Sequence, residues 1–326
     1  MIDRIFNSLK SVEDLNNIPK GDMPGDKINI NYDHLTKAKA ILPTLLNLII
    51  PLIENHTYNR AVVSVYGGSG TGKSEVASLI SYYFNQTGMG SYTLSGDNYP
   101  HRIPKYNDAE RLRIFRQSGI RGLIAHGQYS HERMKILNML QGNNEDSNPK
   151  LAIAYPWMSI YQNEGKKGLR HYLGTPSEIN FNELNEIISQ FKNGADEIYL
   201  KRMGRSEEEL WYEPVNFKNI KVIVIEWTHG NSPYLKGIDI PILLSSTPQE
   251  TLKFRKMRNR DRGADSPFTA MVLDIEQDLL ISQAPEAKII VSSKGEIIHY
   301  KEFLKAMIED SCTGGADGGN SDDKTD

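Results

Sequence analysis

The stretch AVVSVYGGSGTGKSEVASLISYYFNQ, residues 61–86, decides the fold. Its first six residues are a continuous apolar, largely β-branched run, the pattern of a strand buried on both faces. Glycines follow at once, and from Lys73 the pattern turns helical. Within it, Gly67-Gly68-Ser69-Gly70-Thr71-Gly72-Lys73-Ser74 matches G-x-x-x-x-G-K-[ST] in full. Glycines let the backbone fold into a concave nest whose N–H groups converge on phosphate oxygens. The helix that opens there adds its positive end. The spacing thus predicts that residues 67–74 hold the phosphates of ATP. Lys73 reaches the β- and γ-phosphates, and the Ser74 hydroxyl ligates Mg²⁺. A random match in a chain of this length has odds on the order of one in a hundred, and the strand before and helix after lower them sharply.

Working outward, SYTLSGD (91–97) reads as a second strand and KVIVIEW (221–227) as another buried one. IDIPILLSS (238–246) is a fourth. The helical stretches between them imply parallel βαβ units in a doubly wound sheet, whose ligands sit beyond the carboxyl ends of the strands. Asp97 falls at such an end, in Ser95-Gly96-Asp97-Asn98-Tyr99. A carboxylate there can accept the proton of an attacking hydroxyl; on the residues alone, Asp97-Asn98 fits a turn pair equally well. Glu226 closes its strand where an acid can hold Mg²⁺ directly or through water, or is an ordinary acid at the edge of the core. The stretch TPQETLKFRKMRNRDRG (247–263) reads as a helix capped at Ser246 or Thr247, with Gln249 or Glu250 nearby. Its cations, Arg255, Lys256, Arg258, Arg260 and Arg262, suit a mobile arginine segment over a transferring phosphoryl group. A solvated helix face is the plainer alternative.

The rest of the chain is organised around this unit. Residues 1 to about 33 are polar and read as an extended arm. A helical region over 34–57 carries the apolar run 40–53, in which Pro43 and Pro51 leave one helix or two open. Residues 180–194 read as an amphipathic helix stopped at Gly194, and a further helix follows Ser266–Pro267. KIIVSS and EIIHY (288–299) read as a strand pair turning at Lys294–Gly295. Residues 105–170 are harder to read: NDAERLRIFRQ and HERMKILNML are helical, QGNNEDSNP is a loop and LAIAYPW (151–157) is a candidate strand. The expected organisation is an α/β P-loop NTPase fold. It has an arm and helix (1–57), a domain over 58–310 with a helical insertion at 105–170, and a disordered tail from 311.

Composition narrows the class. Of 326 residues 39% are apolar and 24% charged, with a net charge of −3; no global pull toward nucleic acid follows. The single cysteine, Cys312, rules out an intramolecular disulfide and a cysteine zinc site, and fits a reducing cytoplasm. The N-terminus lacks a secretory pattern, and the run 40–53 is too short by itself to span a bilayer.

These residues resemble the uridine kinase and phosphoribulokinase family of P-loop kinases. Besides the loop, Ser95-Gly96-Asp97-Asn98-Tyr99 is similar to the family's S-x-D-x-[FY/H] motif. Residues 175–181, a helix and KNGADEIYLKRMGR resemble its Pro-containing segment, helix and substrate-side hairpin. Val224-Ile225-Glu226-Trp227-Thr228-His229-Gly230 resembles its hydrophobic-Glu-Gly stretch, with Trp227 in place of the usual glycine. RKMRNRDRG resembles its lid. The likeness covers roughly 60–100 and 170–285 and leaves the segment between unmatched.

The resemblance implies ATP- and Mg²⁺-dependent transfer of a γ-phosphoryl group to a hydroxyl of a small metabolite. Asp97 is then the base, Lys73, Arg258 and Arg260 act on the transferring group, and Arg262 touches the nucleotide. Ser74 and Glu226 serve the metal. Tyr99, His101, Arg102, Arg170, His171 and Arg202 are the candidate acceptor residues. The cations His101, Arg102, Lys105, Arg111, Arg113, Arg116, Lys166, Lys167, Arg170, His171, Lys201, Arg202 and Arg205 predict an acceptor that already bears phosphate, sulfate or carboxylate, with surface charge as the alternative. Other classes fit less well. No N-K-x-D guanine motif is present, and a nucleic-acid end kinase or a turnover-free regulatory protein of the same fold are the remaining alternatives. A homodimer is compatible with this reading, and the insertion at 105–170 is open to three roles: a lid, a dimer contact or the specificity domain.

Overall fold

In the computed structural model the described residues are 18, 21–26, 28–247, 250, 251 and 266–313, with side chains described up to 309. The apolar run before the glycines forms β1 (Ala61–Gly67), buried along its whole length. Four further strands join it: β2 (Ser91–Ser95), β5 (Val222–Trp227), β6 (Ile240–Leu244) and β7 (Ile289–Val291). Every pairing is parallel, and the order is β2-β5-β1-β6-β7. The strands are rich in Val, Ile and Leu because both faces are covered, as parallel sheets require.

Successive residues of a strand point to opposite faces, and the two cores divide accordingly. On one face Val63, Val65, Val224 and Ile242 meet Ile41, Leu45, Leu46, Ile49 and Ile53 of α1 (Tyr32–Asn55), with Val76, Ile80 and Phe84 of α2 (Lys73–Gln86). On the other, Val62, Leu94, Ile223 and Ile225 meet Leu184, Ile187, Ile188 and Phe191 of α7 (Phe181–Lys192). Each fully buried Leu or Ile of this kind contributes about 1.5–3 kcal/mol. The hairpin that the resemblance implies is present as β3 (Glu197–Met203) and β4 (Leu210–Asn216), a separate two-stranded antiparallel ribbon.

Helix α1 is continuous through Pro43 and Pro51 and opens on a capping box formed by Asn31 and His34. At 24 residues it meets the length and composition needed to cross a membrane, which the run 40–53 alone does not. Its apolar stripe is nevertheless spent on the sheet.

The insertion is helical: α3 (Pro104–Ala125), α4 (His131–Gly142), α5 (Leu151–Ala154) and α6 (Met158–Arg170). Helices α3 and α6 approach closely through glycine; a Cβ on Gly165 would lie 2.6 Å from the Phe115 ring. Phe115 and Tyr161 meet edge to face at 5.5 Å, and the Tyr161 hydroxyl donates to Asp146 at 2.7 Å.

Three expectations are corrected. LAIAYPW holds a short helix, α5, instead of a strand. Its four apolar residues leave Ile153 86% exposed, and Pro156 stops the turn. EIIHY makes one bridge, Val291 to Ile297, beside β7. The turn at Gly295 forms with φ 83°, but the chain leaves the sheet to enter the next helix, where the Glu302 carboxylate accepts the His299 amide at 2.8 Å. That helix, α9 (Tyr300–Thr313), runs past residue 311, where disorder was expected. Phe303 and Met307, one turn apart, seat it on Tyr66, Leu243 and Ile290.

The cap predicted at Thr247 is present. Its hydroxyl accepts the Glu250 amide at 3.2 Å, and the Glu250 carboxylate accepts the Thr247 amide at 2.9 Å. The rest of the stretch expected to be helical, with Arg255, Lys256, Arg258, Arg260 and Arg262, lies outside the described residues, as do residues 314–326 of the tail.

Candidate active site

The site begins where β1 ends. Gly70 and Gly72 take φ of 83° and 86°, which side chains rarely adopt, and a Cβ on Gly72 would lie 2.6 Å from the His34 ring. The loop folds over itself: Thr71 Oγ1 and Lys73 Nζ both donate to the Gly68 carbonyl at 3.0 Å. Helix α2 opens at Lys73 with no side-chain cap, which leaves its first-turn amides suited to an anion. From α1 the buried Lys37 Nζ donates to the Thr71 carbonyl at 3.1 Å, and its burial pulls its pKa down. Residues on the N-terminal side of position 57 therefore take part in the site.

Strand β5 lies between β1 and β2, so Glu226 stands in register with Val65 on one side and Ser95 on the other. Its buried carboxylate accepts from Ser74 Oγ at 2.9 Å and from Ser95 Oγ. Burial pushes this carboxyl well up, and the charge of Asp97 pushes the same way. The Ser95 bond, Lys73 and the Ser74 bond pull against them. A hydroxyl and a desolvated acid beside a phosphate nest fit Mg²⁺, which keeps most of its waters and takes few protein ligands. No cluster of three or more His, Cys, Asp or Glu suited to a metal occurs among the described residues, so the fit rests on this pair alone.

Asp97 sits in a one-turn 3₁₀ segment, Gly96–Asn98, directly after β2. It is exposed while its neighbours are buried, and its charge reaches Glu226 and Glu276. The turn rests on Trp227: a Cβ on Gly96 would lie 2.1 Å from Cγ of that indole. The residue that departs from the family pattern is thus the floor under the candidate base.

Other acceptor candidates are placed differently from expectation. Tyr99 is wholly buried in the core beside Leu94, Ile179 and Phe181, so it cannot stack on a substrate. Arg202 is buried as well, held by Asp22 at 3.0 Å and Glu213 at 2.8 Å. Arg170 pairs with Asp278, and with Lys166–Asp274 at 3.4 Å it ties α6 to α8 (Pro267–Gln283). His171 is exposed at the end of α6. Arg102 bonds the Tyr172 hydroxyl at 3.1 Å and lies 3.6 Å from Glu110. His101 Nε2 is 3.0 Å from the Pro176 carbonyl.

The wider set of cations is neutralised in the same way. Arg111 pairs with Glu178 at 2.6 Å, Arg113 with Glu110 at 2.6 Å, Arg116 with Asp146 at 2.9 Å and Lys167 with Glu164 at 2.6 Å. Lys201 donates to the Pro100 carbonyl at 3.2 Å. Partners inside the chain account for most of these charges, as the surface-charge alternative expects.

Two features escape a reading of the sequence. One is a buried polar group beside the crevice. Glu178 takes Arg111, the Asn107 side chain at 2.9 Å and the Gly174 amide at 2.7 Å, while Arg111 Nη2 also approaches Glu276 at 3.9 Å. Glu276 lines a small cavity of about 10 Å³ with Gly68, Ser69, Ser246 and Gln277, and burial pushes its carboxyl up. His229, edge-on to Trp227 at 5.2 Å, is driven by burial down to about 4 and so stays neutral. The other is Asp22, from the arm, which reaches the turn that carries Asp97. Neither has a local motif; both come from residues far apart in the chain.

A parallel sheet of this order, with a glycine-rich phosphate-binding loop after β1, an acid closing β5 and a carboxylate after β2, is a P-loop nucleotide-binding architecture. The chain is similar to the bifunctional alpha-galactosidase/sucrose kinase AgaSK of Mediterraneibacter gnavus, 38% identical over 244 residues, which is 75% of this chain and 21% of that protein. The chain spans about a fifth of that relative's length. Among solved structures it is similar to a putative fructose transport system kinase from Silicibacter sp. TM1040, at 13% identity over 76% of this chain and 92% of that one, with a TM-score of 0.43. D-glycerate 3-kinase from Cryptococcus neoformans var. grubii is similar at 12% identity over 80% and 98%, with a TM-score of 0.45. No family model matches the chain.

Proposed function

We propose that this protein is a kinase that transfers the γ-phosphoryl group of ATP to a hydroxyl of a neutral carbohydrate. The observation that carries the reading is the convergence of Lys73, Ser74, Glu226 and Asp97 at the carboxyl ends of three adjacent strands. The amides of residues 67–74 and the Lys73 ammonium bind and orient the phosphates. Ser74, backed by Glu226, would hold Mg²⁺, which neutralises charge on the phosphate oxygens. Asp97 accepts the proton of the acceptor hydroxyl as its oxygen attacks phosphorus and the bond to ADP breaks. Arg258 and Arg260 remain the candidates for charge over the transferring group, and Arg262 for a contact to the nucleotide.

The acceptor class is supported by two facts. The relative is named for a sucrose kinase, and the cations near the crevice are already paired within the chain. Residues 58–310 form the kinase unit in this reading, with 105–170 as its insertion. The single cysteine accords with a cytoplasmic setting. The test is ADP release with ATP and Mg²⁺ across sucrose, fructose, uridine, glycerate and sugar phosphates. A neutral sugar should give the highest kcat/KM; turnover confined to anionic acceptors, or none at all, would refute the assignment.

A further inference from the structure

We infer that Asp22 is the positioning residue for Asp97, so that the N-terminal arm is a working part of the active site. The inference rests on the kinase reading above. Among the described residues strand β2 pairs with β5 alone, so it forms an edge of the sheet. Gly21 and Asp22 of the arm reach this strand: a Cβ on Gly21 would lie 3.5 Å from Thr93 Cγ2.

Asp22 then turns inward. Its Oδ1 accepts the Ser95 amide at 2.7 Å and Asn98 Nδ2 at 3.1 Å. Its Oδ2 accepts the Tyr92 hydroxyl at 3.0 Å and Arg202 Nη1 at 3.0 Å. Asn98 Oδ1 takes the Met203 amide at 3.0 Å, which closes the link to the hairpin. The side chains of Asp22 and Arg202 are only 6% and 5% exposed.

The two residues held by one oxygen of Asp22, Ser95 at the end of β2 and Asn98 in the turn, lie on either side of Asp97 in the chain. A single 3₁₀ turn has poor intrinsic stability, so its placement depends on the groups that hold it. Asp22 holds it through Ser95 and Asn98, while Trp227 closes the floor. A buried carboxylate that takes four donors has few alternative arrangements, which is the property a positioning group needs.

The experiment is a double-mutant cycle with ATP and sucrose. Asp22→Asn keeps the shape but removes the charge and turns one acceptor into a donor. It should lower kcat by about tenfold or more and leave the nucleotide KM and Kd within about twofold, since the phosphate nest is untouched. In the Asp97→Asn background the same change should cost less than about twofold, because no base remains to be aimed. An equal loss in both backgrounds would make Asp22 merely structural and overturn the inference, as would no loss in the parent. If Asp97→Asn falls while Asp22→Asn does not, only this inference fails. If Asp97→Asn keeps full activity, the base assignment and this inference fail together. Should Asp22→Asn not fold, Asn98→Ser breaks the same link from the turn side and is judged by the same outcomes.

Discussion

The phosphate loop and the Asp97 turn stand at the carboxyl ends of β1 and β2, one strand apart, yet they are built in opposite ways. The loop is made by contiguous residues whose own backbone supplies the geometry: glycines at φ above 80°, an uncapped helix start and a lysine folded onto its own loop. The turn is three residues long and is held by groups from three separate places in the chain, Asp22, Met203 and Trp227. A self-contained element survives transplantation between sequences as a motif. An assembled one leaves only a single Asp to be read, and its precision depends on residues with no signature of their own.

The largest effect should come from breaking the contiguous half. Lys73→Ala removes a direct phosphate contact and should reduce transfer by about 10²–10³-fold while also weakening nucleotide binding, as read by steady-state kinetics and calorimetry. Glu226 is shared by the two halves through Ser74 and Ser95. Glu226→Gln should raise the Mg²⁺ needed for half-maximal rate by about 10–100-fold, and a magnesium titration checks it.

The smallest effect belongs to the assembled side alone and concerns stability. His229 is held neutral by burial against Trp227, with Glu178, Arg111 and Lys73 facing it. Its folded value, about 4, lies below the unfolded value of about 6.5. The unfolded chain therefore binds the extra proton first, and stability is lost as pH falls from about 6.5 toward 4. Between pH 7 and 5 the loss should be about 2 kcal/mol. His229→Gln should flatten that part of a denaturant-measured stability profile.

These differences explain what the sequence discloses. The sheet is legible because runs such as residues 61–66 and 222–226 can only be strands buried on both faces, and Asp97 is legible because strand ends in a parallel sheet mark the crevice. The cations mislead because an arginine's partner is invisible in one dimension: Arg111 finds Glu178 and Arg170 finds Asp278 across folded distances. Tyr99 misleads because an aromatic residue after a catalytic motif serves the core as readily as a ligand. Asp22 is hidden in a stretch, GDMPGD, whose composition reads only as polar arm, and the glycine contact between α3 and α6 has no periodicity strong enough to announce it.

The most direct test of the account compares nucleotide binding with phosphoryl transfer in Asp97→Asn. ATP should bind with Mg²⁺ as tightly as in the parent, within about twofold, while transfer to the acceptor falls by about 10²–10⁴-fold. Transfer at the parental rate would contradict the account, since the carboxylate beside the nest would then have no part in the chemistry.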